Sequence, residues 1–171
     1  KAALNRWLPL SIAVLDCEEA DIDFHARYSC TSKEYIYKIW NTEVRNPFLD
    51  GYALHYRYKL DEDMLNSAAQ AYVGTHDFTS FCTLDSREKG DMTRTVKAFS
   101  VTREGNLVTM KVEADGFLYN MVRIMVGTLL RIQQGKIPVD GIAGIIEKKD
   151  RKFAGPTAQP CGLYLNRVNY D

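Results

Sequence analysis

The chain has 171 residues, 46% hydrophobic and 26% charged, a balance that suits a folded domain with a buried core and excludes a disordered or fibrous segment. Lysine plus arginine and aspartate plus glutamate each total 22, which excludes a broadly basic nucleic-acid binder and leaves any RNA affinity to local patches. Four cysteines (Cys17, Cys30, Cys82, Cys161) and three histidines (His25, His55, His76) fall at no metal-ligand spacing, so reduced thiols and no metal site are expected.

In chain order, residues 1–7 read as the end of a helix, and the chain opens at Lys1 without a methionine, which gives the expectation of a piece of a longer protein. The apolar run before Cys17 resembles a lipoprotein leader, but Asp16 spoils the small-residue cleavage site. Residues 11–15 are continuously apolar and residues 27–41 are β-branched and aromatic, so two strands are predicted. A turn at Asn46, Pro47, Asp50 and Gly51 precedes a tyrosine-rich strand over 52–58. Asp61 then caps a helix carrying Met64, Leu65, Ala68, Ala69 and Tyr72, and Gly74 ends it.

A mixed-charge loop over 85–91 follows the 78–81 segment and leads to a hairpin, 93–103 and 107–114, turned at Glu104-Gly105-Asn106. Residues 117–133 are apolar nearly all round, predicting a buried helix too short and polar-flanked to span a membrane. A second helix over 139–148 leads to a basic cluster ending at Lys152, then a loop with Gly155, Pro156 and Pro160, and a last strand over 162–168. Without strict β-α-β alternation or a linker, these elements predict one α+β domain over residues 1–171, a largely antiparallel sheet flanked by helices.

Arg123 is the only charge between Gly116 and Leu130. A guanidinium in an apolar helix must be paired, either with Asp77 or Asp115 in this chain or with a catalytic carboxylate or substrate anion. Tyr35 and Tyr37 share one face of their strand, which serves either as core or as a base-stacking surface. His25 and Arg27 read as phosphate contacts or as a solvated strand start. His76-Asp77 with Ser80 has the residue types of a catalytic relay, but neighbours in sequence rarely form one, so a structural turn is expected. The run from Lys148 to Lys152 suits a solvated helix end that complements the helix dipole.

Five blocks in order resemble the tRNA pseudouridine synthase A family. They are Ala3-Leu4-Asn5 through Leu8-Pro9 with Ile12-Ala13-Val14; Phe24-His25-Ala26-Arg27-Tyr28; Lys33-Glu34-Tyr35-Ile36-Tyr37; Gly74-Thr75-His76-Asp77-Phe78-Thr79-Ser80-Phe81; and Gly116-Phe117-Leu118-Tyr119-Asn120-Met121-Val122-Arg123 with Gly162-Leu163-Tyr164-Leu165. Asp115, where the family often has asparagine, and Gln159-Pro160-Cys161 depart from its pattern.

The resemblance implies the C-terminal, RNP-like half of a cytoplasmic, homodimeric enzyme that isomerises uridine to pseudouridine in the anticodon stem-loop of tRNA, with no cofactor and no membrane association. It implies that Arg123 pairs with the attacking aspartate, that Tyr35 packs on the flipped base, and that Leu163 lines the same pocket. The family's aspartate lies in a Gly-Arg-Thr-Asp-Ala-Gly-type motif, and no such run occurs in these residues, so the chain alone is expected to be inactive. Two other readings stay open. One is a non-catalytic RNA-binding or dimerisation module; the other is an unrelated enzyme with a pocket around His76 and Asp77.

Overall fold

The computed structural model describes residues 1–83 and 90–170; most of the loop predicted over 85–91 lies outside them. Six strands form one sheet, β1 (Cys30–Trp40), β2 (Leu54–His55), β3 (Gly74–Asp77), β4 (Thr93–Glu104), β5 (Leu107–Ala114) and β6 (Leu163–Tyr170). Their order is β2-β1-β5-β4-β3, with β6 also on β1, and only the short β1–β2 pairing is parallel. The helices are α1 (Ala2–Trp7), α2 (Glu62–Ala69), α3 (Met121–Gln133) and α4 (Gly141–Lys148). The α+β class with a largely antiparallel sheet is therefore observed.

Alternation along β1 and β5 sends Tyr37, Ile39, Val108, Met110 and Val112 into one core with Leu65 of α2, Ile142 of α4 and most of α3. α3 is almost wholly buried because its apolar residues circle the helix. Asp61 caps α2 as expected, its carboxylate accepting from the Met64 amide at 2.9 Å.

Four expectations are corrected. Residues 11–15 form no strand, and Leu10 and Leu15 are exposed; the Asn5 side chain takes the Val14 amide at 2.7 Å and donates to its carbonyl at 2.8 Å. Of residues 52–58, only Leu54 and His55 pair in the sheet, because the Asn41 amide donates to the carbonyls of Tyr56 and Tyr58 in place of a neighbouring strand. The helix expected to end at Gly74 closes in a 3-10 turn over Gln70–Tyr72, and Gly74–Asp77 is a strand rather than a turn. α3 starts at Met121 rather than at residue 117, since Asn120 sits at φ 62°, a left-handed conformation that no helix continues through.

The β1–β6 ladder carries two register shifts. Thr31 is an extra residue on β1 and Asn166 an extra residue on β6. Tight packing joins α3 to the loop before β6: a Cβ on Gly127 would lie 1.7 Å from the Pro156 carbonyl oxygen, and one on Gly155 would lie 2.5 Å from the Gly127 carbonyl oxygen. No helix among the described residues is long and apolar enough to cross a membrane.

Candidate active-site cleft

Asn120 tolerates the left-handed conformation better than most residues, and it ends the irregular 117–120 stretch so that the first turn of α3 lines the mouth of a cleft. Arg123 therefore lies in the first turn, half-buried, not mid-helix. Its Nε donates to the Ala158 carbonyl at 2.7 Å and its Nη1 to Asn120 Oδ1 at 3.0 Å. The Ala158 amide in turn donates to the Arg123 carbonyl at 3.0 Å. Neither carboxylate proposed within the chain reaches it. Asp77 pairs with Lys149 at 2.9 Å, and Asp115 accepts from the Thr95 amide. Among the described residues no carboxylate pairs with Arg123.

The cleft has a volume of about 370 Å³ and is lined by Arg27, Tyr35, Arg123 and Leu163 together with residues 117–122 and Pro160. Phe117 meets the Tyr35 ring edge-on, with centroids 5.0 Å apart, and so fixes its plane. Arg27 is carried in by a segment tied to β6, where the Tyr170 hydroxyl donates to the Ala26 carbonyl at 2.7 Å and the Tyr170 ring packs tilted against Phe24, centroids 5.1 Å apart. The described lining holds two arginines and no acid. With the positive end of the α3 dipole added, it suits a carboxylate or phosphate.

Other candidates lie elsewhere. Tyr37 is fully buried, and burial pushes its phenol pKa up, so the hydroxyl stays protonated and donates to the Gln159 carbonyl at 2.7 Å. His25 turns back on its own loop, where its Nδ1 accepts from the Arg27 and Tyr28 amides. His76 bonds the Val73 carbonyl, whereas Asp77 caps the turn over Thr79–Phe81 by accepting from Thr79. The Thr79 hydroxyl first, then Lys149, holds the Asp77 carboxyl below the usual aspartate range. The pair forms no relay, and neither residue lines the cleft. In the basic run, Lys148 covers the Phe153 ring and Arg151 donates to Ala154 and Thr157.

Phe117, Asn120, Pro160 and the Ala158 carbonyl were not singled out as site groups by the sequence reading. Only Asn120 left a signal, as a cap-type residue ahead of an apolar helix.

The sequence pattern of the tRNA pseudouridine synthases matches residues 68–171. Over all 171 residues the chain is 46% identical to tRNA pseudouridine synthase A of a Geobacillus species and spans 68% of that protein. It is 45% identical to the enzyme of the same name from Geobacillus kaustophilus, spanning 66% of it, and 45% identical over 168 residues, 98% of this chain, to that of Acetivibrio thermocellus, spanning 68%. The chain belongs to the tRNA pseudouridine synthase family. It covers about two thirds of the length of these synthases, and three of the five synthase-like blocks, those holding Arg27, Tyr35, and Arg123 with Leu163, meet in the one cleft.

Proposed function

We propose that this chain forms the RNA-docking part of an enzyme that isomerises uridine to pseudouridine in the anticodon stem-loop of tRNA and works as a homodimer. The supporting observation is the acid-free cleft, in which segments far apart in sequence bring two arginines, an aromatic ring and a leucine together. A uracil flipped from its stack would lie against Tyr35 and Leu163. Arg123, its plane set by Ala158 and Asn120, would hold an attacking aspartate ionised and oriented. The uracil N1–ribose C1′ bond breaks, the base turns, a bond forms between C1′ and C5, and the C5 proton leaves to solvent while N1 regains a proton. Arg27 is placed for a backbone phosphate.

The reading assigns the attacking carboxylate to a segment outside these 171 residues, since they hold no Gly-Arg-Thr-Asp-Ala-Gly-type run and no aspartate among the described residues reaches Arg123. Tritium release from C5-labelled uridine in unmodified tRNA tests it. The chain alone should release none above background, and adding an aspartate-bearing segment of the family in trans should restore release if the two parts associate. Release by the chain alone would place the nucleophile within these residues and overturn the assignment.

A further inference from the structure

The sheet edge carries a notch. β1 passes from β6, which ends at the Tyr37–Leu163 pair, to β2, which begins at the Ile39–Leu54 pair, with Lys38 at the step. The chain crosses the step so closely that a Cβ on Gly162 would lie 2.6 Å from the Lys38 carbonyl oxygen. Beside the crossing lies a second cleft of about 420 Å³, whose lining includes Trp40, Arg45, Asp50, His55, Gln159 and Cys161.

The crossing segment walls both clefts, with Pro160 and Leu163 on the Arg123 side and Gln159 and Cys161 on the notch side. This is the stretch that departs from the family pattern. We propose that the notch binds a second nucleotide of the RNA strand whose target uridine enters the Arg123 cleft, a proposal that rests on the function given above.

The chemistry of the lining fits a nucleotide. Half-buried Trp40 offers a π-face on which any base can stack. Arg45 is exposed and has no carboxylate partner among the described residues, so its guanidinium is available to a phosphate. Asp50 and Gln159 supply an acceptor-rich edge for the exocyclic amine of a cytosine or purine. Trp40 lies five residues along β1 from Tyr35, about 17 Å at ~3.4 Å per residue, and on the opposite face of the sheet, so an RNA strand occupying both clefts would round the sheet edge at the notch over a few nucleotides. The lining also includes Pro47, Leu49, Ala53 and Leu54, apolar surface against which a base plane can lie.

The chain has two tryptophans, so Trp7→Phe leaves Trp40 as the sole tryptophan, whose emission is excited selectively at the red edge beyond tyrosine absorption. Binding of an unmodified, end-labelled tRNA transcript is followed by anisotropy of the label, and Trp40 emission and acrylamide quenching are read in the same titration. Trp40 should be quenched and shielded at the binding midpoint. Arg45→Ala should lower the slope of log K against log salt by about one phosphate contact, and Trp40→Ala should weaken binding roughly 5- to 150-fold. Binding by anisotropy with unchanged Trp40 signals and an unchanged Arg45→Ala slope would overturn the notch site and leave the proposed function standing. Absence of binding in the anisotropy arm would overturn both. Shielding of Trp40 that rises with protein concentration and without RNA would show a second copy in the notch and overturn the nucleotide assignment.

Discussion

Arg123 directs Nε and one Nη nitrogen at protein acceptors, and these two bonds hold the plane of the fork while its other edge meets no acceptor among the described residues. A lysine cannot reproduce that, because one ammonium carries no fixed plane. In the intact enzyme Arg123→Ala should lower turnover at least about a hundredfold, the scale seen when a preorganised charge-stabilising donor is removed, and Arg123→Lys should recover little. Full activity in the lysine variant would remove the role. Because its partners here are a carbonyl and an amide rather than a carboxylate, the alanine variant should destabilise the chain by only about 1–3 kcal/mol, read by thermal unfolding. On the proposed reading Tyr35 acts through its ring, which Phe117 meets edge-on. Tyr35→Leu should cost tRNA affinity no more than one stacking contact, about 1–3 kcal/mol, and impair turnover beyond that; Tyr35→Phe separates the ring from the hydroxyl. Loss of affinity at normal turnover would make Tyr35 a docking residue.

Among the elements, α3 and the loop at 155–158 act as one piece, since two glycines let their backbones touch and the Gly155 amide donates to the Thr128 hydroxyl at 2.9 Å. Gly127→Ala should destabilise by about 1–3 kcal/mol or more through overpacking. It should also reduce turnover, because the displaced loop carries the Ala158 carbonyl that orients Arg123. Gly144→Ala in α4, with nothing within 4 Å of its Cβ, should instead be neutral or slightly stabilising. Equal unfolding temperatures in the two variants would refute the contact.

The same elements show why some of the fold was legible and some was not. The 93–114 hairpin and α3 announced themselves by alternation and by an unbroken apolar circumference. Residues 11–15 and 52–58 misled because amide side chains, Asn5 and Asn41, replace a strand partner there, and composition does not reveal which asparagine reaches which carbonyl. Arg123 stood out as a lone charge. Asn120 left only a cap-type signal, and the Ala158 carbonyl left none, since a backbone group carries no distinctive residue type.

At the scale of the whole molecule, the described chain is unevenly buried. Trp7, Leu15 and Ile22 are 82–99% exposed, and residues 8–29 contain no helix or strand, whereas the sheet and helices α2, α3 and α4 pack on one core. A glutamate-specific protease should therefore cut first after exposed Glu18 or Glu19, leaving the remainder intact by mass spectrometry; initial cleavage within α2 or β5 would contradict this. The two register shifts between β1 and β6 tie that exposed segment to the cleft. They are opposite in sign, one extra residue on each strand, like a pair of dislocations that annul each other. Outside the pair the ladder is in phase, and only residues 32–34 ride one step out. Each slip is absorbed at its own extra residue, so deleting Asn166 closes one bulge and keeps Cys30 opposite Tyr170, and the loop that delivers Arg27 should hold its place. Deleting Thr31 as well should leave a straight ladder with the same partners.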